Sequence, residues 1–96
     1  MKVSNSKFEN NTSKGRGSIL LSGIYSSINF SNSIFEGNTA AEGGVFFIEE
    51  SVKFNSLNCT YILNSAVRGG VMYSSYLLDG KIVFEASTFI ENSAEI

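Results

Sequence analysis

Phe35-Glu36-Gly37-Asn38, followed by Gly43-Gly44-Val45-Phe46-Phe47-Ile48, is the stretch on which the fold turns, because its pattern returns along the whole chain. An aromatic residue stands three places before an asparagine at Phe8/Asn11, Phe35/Asn38, Tyr61/Asn64 and Phe89/Asn92. The aromatics are 27, 26 and 28 residues apart, within the roughly 20 to 50 residues of a solenoid unit. Nine places after each of the first three aromatics a glycine (Gly17, Gly44, Gly70) opens an apolar run, and two of these are doublets, Gly43-Gly44 and Gly69-Gly70. Upstream of each aromatic lies an alternating apolar pair: Met1/Val3, Ile28/Phe30, Val52/Phe54 and Ile82/Phe84. The units run about 1–27, 28–53, 54–81 and 82–96, one segment in all, and Met1 falls inside a repeat. The segment is therefore expected to be a fragment of a longer repeat protein.

Each unit holds three short runs rich in Ile, Val, Phe and Tyr, bounded by Gly, Ser and Asn, and none has helical spacing. In the second full unit strands are expected near Gly44 to Ile48, Ser51 to Asn55 and Asn58 to Ile62. Corners fall at Glu49-Glu50, Ser56-Leu57 and Asn64 to Gly69. Such strands can each lie parallel on the equivalent strand of the next unit, about 4.8 Å away. The expectation is an all-β parallel β-helix solenoid of about three coils, with three short strands per coil.

Stacking explains the recurrence. Phe8, Phe35, Tyr61 and Phe89 would form one aromatic column and Val3, Phe30, Phe54 and Phe84 a second. Asn11, Asn38, Asn64 and Asn92 would form a structural ladder closing a corner rather than a ligand site, since every unit repeats them at one offset. The glycine doublets suit a positive-φ corner; a phosphate-cradling loop would need a helix after them. On the glycine-led strand, Ile19, Phe46 and Met72 are taken to point inward, leaving Leu20, Phe47 and Tyr73 as an exposed apolar stripe of the kind that marks partner contact.

Composition narrows function. With 43% hydrophobic residues the 96-residue chain suits one small folded unit. Seven scattered Lys and Arg and a net charge of −2 supply no basic stripe for nucleic acid. No apolar run approaches the roughly 18 to 20 residues of a membrane helix, and residues 1–5 lack the core of a secretory signal. Any such segment would lie outside the chain.

The residues of polysaccharide cleavage are scarce. There is no histidine and one aspartate, Asp79, whereas hydrolysis calls for convergent carboxylates and lyase chemistry for a Ca²⁺ cage beside a base. Glu49-Glu50 come closest, but sequence neighbours on a strand or corner point apart. Glu9 and Glu36 would stack as like charges at an outward site, and Arg16 and Arg68 would be solvated. Cys59 takes the place of Ser33 and Ser87, which reads as a small buried side chain rather than a reactive thiol. No enzyme activity, cofactor or metal site is expected. Among the sequons, Asn29-Phe30-Ser31 offers the best glycosylation acceptor, Asn29, because Asn11 should be buried in its ladder.

The motifs resemble the F-x-x-N and G-G-A repeats of chlamydial-type polymorphic outer membrane proteins and the related pectin-lyase-like repeats of large protist surface proteins. Phe8-Glu9-Asn10-Asn11, Phe35-Glu36-Gly37-Asn38 and Phe89-Ile90-Glu91-Asn92 match the first motif and Tyr61-Ile62-Leu63-Asn64 nearly so. Gly43-Gly44-Val45 and Gly69-Gly70-Val71 match the second with Val for Ala, while Arg16-Gly17-Ser18 is degenerate. The likeness covers essentially the whole chain and implies a right-handed parallel β-helix with an adhesin-like role. Expected from it are an extracellular or cell-surface location, membrane association through parts outside this chain, and as partners adjacent coils of the same polypeptide and surface glycans or host proteins. The autotransporter barrel of the chlamydial-type proteins has no counterpart here. A different class of function, a carbohydrate-binding or carbohydrate-active module, would use Tyr25, Tyr73 and Tyr76 to stack on sugar rings.

Overall fold

Short alternating runs, each too brief to stand alone, become strands by pairing with their copies one repeat away. A computed structural model describes residues 1–22, 27–49, 52–74 and 81–95. It is all-β among these residues: β1 (Lys2–Ser4), β2 (Lys7–Glu9), β3 (Leu20–Ser22), β4 (Ser27–Ser31), β5 (Ile34–Glu36), β6 (Thr39–Glu42), β7 (Phe46–Ile48), β8 (Lys53–Leu57), β9 (Thr60–Ile62), β10 (Ser65–Arg68), β11 (Met72–Ser74), β12 (Lys81–Glu85), β13 (Thr88–Ile90) and β14 (Ser93–Ala94). They form four sheets, ordered β1-β4-β8-β12, β2-β5-β9-β13, β6-β10-β14 and β3-β7-β11. Every pairing is parallel.

Each full repeat thus contributes four strands, not three. The extra one comes from the stretch expected to be a turn between Asn64 and Gly69, which is β10. Its Ser-Ala-Val-Arg, like Thr-Ala-Ala-Glu in β6, has little intrinsic β character, and parallel pairing of Ser65 with Thr39 and Ala66 with Ala40 overrides that. The corner expected at Ser56-Leu57 lies later, at Asn58, because β8 continues to Leu57.

Three corners repeat with positive φ, two of them mostly at residues other than glycine. One holds Asn5, Asn32, Asn58 and Ala86; the other holds Asn10, Gly37, Leu63 and Glu91. Asparagine tolerates this conformation because its short side chain bonds locally, but leucine does not. Leu63, 51% exposed, therefore sits under strain where the preceding repeat has Gly37. Leu63→Gly should raise stability by about 0.5 kcal/mol, the relieved strain outweighing glycine's entropy. A urea midpoint unchanged or lowered would show that the corner is unstrained.

The glycine doublets divide their labour. Gly43 and Gly69 carry the positive φ, 67° and 65°. Gly44 and Gly70 are needed for closeness, since a Cβ on either would collide with the carbonyl of Gly70 or Ser93 in the next repeat. Gly17 (φ 60°) pairs with this first glycine, donating its N–H to Glu42 O as Gly43 donates to Arg68 O. The alignment of Gly17 with Gly44 is thereby corrected by one residue. The cause is a bulge: Ala41 and Glu42 N–H both donate to Gly15 O.

The apolar core joins Ile28, Phe30, Phe35, Val45, Phe46, Ile48, Val52, Phe54, Cys59, Tyr61 and Val71. Phe46 is fully buried within this core, and Ile19 and Met72 pack against the core as expected of the inward set. Register, however, places Leu20 rather than Ile19 opposite Phe46. The first aromatic column stands: Phe8, Phe35, Tyr61 and Phe89 are in register, with rings 5.0, 4.9 and 4.9 Å apart and within 11° of parallel.

The second column does not stand as drawn. Val3 pairs with Phe30, Phe30 with Ser56 and Ser56 with Phe84, while Phe54 belongs with Ile28 and Ile82. A compensating exchange explains the serine. Phe30 and Phe84 place their rings edge-on to Phe35 and Phe89, at 5.3 and 5.2 Å. In the repeat between, the smaller Ser56 leaves room for the Tyr61 hydroxyl, and the two bond at 2.6 Å.

Candidate functional site

The asparagine ladder is the most ordered polar feature. In each step the backbone N–H and the Nδ2 of one asparagine both donate to Oδ1 of the next: Asn11 to Asn38, Asn38 to Asn64 and Asn64 to Asn92, at 2.9–3.0 Å. The other Nδ2 hydrogen reaches back to a carbonyl, from Asn38 to Phe8 O, Asn64 to Phe35 O and Asn92 to Tyr61 O. Asn38 and Asn64 are fully buried, and their amide groups are spent on these bonds. Asn11, expected to be buried, is half-buried at the end of the ladder.

A second ladder runs through Ser6, Ser33, Cys59 and Ser87, each donating its side-chain hydrogen to the carbonyl two residues before it. Cys59 is buried and makes the serine bond with sulfur. The Tyr61 phenol lies in the core, and burial pushes its pKa well above the ordinary tyrosine range. It is a hydrogen-bonding partner of Ser56, not an acid or base near neutrality.

Charged side chains converge around Glu42 on the outside. Glu42 sits between Arg16 (Nε to Oε1, 3.1 Å) and Arg68 (Nη1 to Oε2, 3.3 Å), with Glu49 3.8 Å from Arg16. Arg16 and Arg68, expected to be merely solvated, are bridged. The signal was available: Arg16, Glu42 and Arg68 are each 26 residues apart, so the repeat itself stacks alternating charge. Arg16 also lies over the Phe47 ring, 4.7 Å from its centre, and Tyr73 stacks on the same residue at 5.4 Å. Phe47 is only 1% exposed. The expected exposed stripe is therefore corrected at Phe47, and Tyr73 is half-buried; the Leu20 side chain lies outside the described residues.

The hydrogen bonds from Arg16 and then Arg68 hold the Glu42 carboxyl below its usual value. A depressed folded value means that the unfolded chain binds the proton more readily, so this contribution to stability is complete above the unfolded carboxylate pKa. It is lost as pH falls through the lower folded value. Denaturant midpoints of the protein and of Glu42→Gln should differ most near neutrality and converge in acid, with high salt shrinking the gap. A gap that stays constant with pH would exclude the ion pairs as its source.

Glu50 and Asp79 lie outside the described residues, as do Tyr25 and Tyr76. Glu9 and Glu36 are in register, and Lys7 Nζ stands 3.3 and 3.8 Å from them, which offsets the like charge. Among the described residues no three His, Cys, Asp or Glu side chains gather as a metal site. Asn29 lies mid-strand in β4, half-buried, with Oδ1 accepting from Asn55 Nδ2 at 3.1 Å. A groove of about 380 Å³ runs over Thr39, Ser65, Ser93 and the neighbouring alanines. Its hydroxyl pair Thr39 and Ser65, 3.2 Å apart, supplies hydrogen bonds but no group that titrates near neutrality. No family model, curated protein or solved structure matches the chain.

Proposed function

We propose that this chain is a stretch of right-handed parallel β-helix of the polymorphic outer membrane protein type, serving as a non-catalytic, rigid or adhesive segment of a larger extracellular or cell-surface protein. The observation that carries this is the register: in all four sheets, each strand pairs in parallel with the strand about 26 to 28 residues away. Successive turns of one winding chain are the simplest path that satisfies all four sets at once. The chemistry supports a structural role, because the repeated polar side chains bond to one another or to backbone. The glycan-stacking alternative has less support, since Tyr73 already lends a ring face to Phe47.

Duplicating residues 54–81 in place tests the architecture. Small-angle scattering should show growth along one axis by about one strand spacing, 4.8 Å, with the cross-section unchanged; growth in cross-section would reject a solenoid. A glycan array and a reducing-end assay test the role. Silence in both is expected of a spacer, glycan retention would transfer the proposal to a carbohydrate-binding module, and released reducing ends would overturn it.

A further inference from the structure

Asn10, Asn11, Asn29 and Asn58 each head an Asn-x-Ser/Thr triplet, the acceptor pattern for an N-linked glycan. A glycan is bulky and has to finish on the outside, so the fold sorts these asparagines. Asn11 spends its Nδ2 inside the ladder, on Asn38 Oδ1. Asn29, the acceptor expected from the sequence, lies half-buried in the middle of β4, in register between Lys2 and Asn55 and bonded to the Asn55 amide. Asn10 is exposed at a corner, but its amide lies over the Gly37 backbone, where a Cβ would come within 2.6 Å of Oδ1.

Asn58 differs from all three. It stands exposed at the positive-φ corner between β8 and β9, with φ 54°. Cys59 turns into the core, while Asn58 and the half-buried Thr60 face outward, so the hydroxyl that completes the triplet shares a side with the amide. The backbone is held from both neighbouring repeats, the Asn58 N–H donating to Glu85 O and the Thr60 N–H to Ser33 O. The corner thus keeps its shape whatever the side chain carries. Asn58 Nδ2 donates to Asn32 Oδ1 at 2.8 Å. A side-chain amide has two hydrogens and glycosylation consumes one, so the modified residue retains an N–H for Asn32.

We propose that Asn58 is an acceptor of an N-linked oligosaccharide, an inference that rests on the surface reading above because this modification is made during secretion. The donor is an oligosaccharide joined to a lipid through a diphosphate. Nδ2 of Asn58 bonds to the anomeric carbon, the bond from that carbon to the phosphate oxygen breaks, the lipid diphosphate leaves with its electron pair, and Nδ2 gives up one proton. The sugar then stands at a corner of the solenoid beside Leu57, which is 48% exposed, and shields that apolar side chain from other molecules.

The test is to express the full chain behind a cleavable secretory leader in eukaryotic cells and digest it with peptide-N-glycosidase in heavy-oxygen water, which leaves a labelled aspartate wherever a sugar stood. Chain retained in the cells is digested alike, so poor secretion does not obscure the result. Peptide mass spectrometry should find the label at position 58. Thr60→Val, which keeps a β-branched strand residue but removes the hydroxyl, should abolish it, and Thr60→Ser should keep it. The urea midpoint of the glycosylated chain should match that of the unmodified chain made in bacteria. An unlabelled Asn58, a label at Asn10, Asn11 or Asn29 in its place, a label that survives Thr60→Val, or a midpoint lowered by the sugar would each overturn the proposal. Because the leader supplies export, such a failure rejects the site alone. The surface reading is judged on the natural protein, by labelling intact cells with an impermeant amine reagent, and an unlabelled protein would reject that reading instead.

Discussion

Phe35→Ala should cost about 3–5 kcal/mol, the range for truncating a fully buried aromatic. Phe35 is 0% exposed and touches rings on four sides: Phe8 and Tyr61 stack on its faces at 5.0 and 4.9 Å, while Phe30 and Phe46 meet it edge-on at 5.3 and 5.2 Å. A chain of 96 residues has a total stability of about 5–14 kcal/mol, so this loss takes a large share of it. Collapse cannot heal the cavity, because each neighbouring ring is held in register by its own strand. Phe89→Ala is the control from the same column. Half-exposed and flanked by a ring on one face, Phe89 should cost about 1 kcal/mol. Urea titrations followed by circular dichroism compare the two; equal losses would mean that the column is not packed as a continuous stack.

The sequence states the inter-repeat relations that depend on identical residues and hides those that depend on compensation. Phe8, Phe35, Tyr61 and Phe89 announce themselves because one offset brings them together, and so do the four asparagines. Phe54 misled because it is an aromatic in the right neighbourhood; only the contact between Ser56 and Tyr61 reveals that two substitutions, five residues apart, replaced one ring-edge contact with a hydrogen bond. The bulge near Gly15 is equally silent, since one added residue between Thr12 and Arg16 alters no motif, yet it moves Leu20 onto the position read for Ile19. Strand β10 carries no sequence signal for the same physical reason: its alanine and serine acquire strand geometry from their neighbours rather than from their own preference. On the outside, the role of Glu42 is hard to read because its ion pairs depend on residues in three different units. None of these features carries chemistry in isolation, which is why the fold was more legible than any activity.

Asn64→Ala is the second change expected to have a large effect, though it creates a smaller cavity. The amide of Asn64 accepts from the Asn38 N–H and Nδ2 through Oδ1 and donates to Phe35 O and Asn92 Oδ1 through Nδ2. Removing it strands an N–H and a carbonyl inside the protein, where water does not reach them. Each buried group left without a partner costs about 1–3 kcal/mol, so the total should be about 2–6 kcal/mol. The same substitution at Asn92 should cost less, because Asn92 is half-buried and closes the ladder on one side only. If the ladder were instead a binding row, Asn64→Ala would leave the unfolding midpoint near that of the parent and change only what the surface retains. Hydrogen exchange makes the distinction local: the Asn38 amide should lose protection in Asn64→Ala and the Asn11 amide in Asn38→Ala. Loss of protection one repeat toward the N-terminal side, following the direction of donation, is the signature of a load-sharing ladder and not of isolated side-chain bonds.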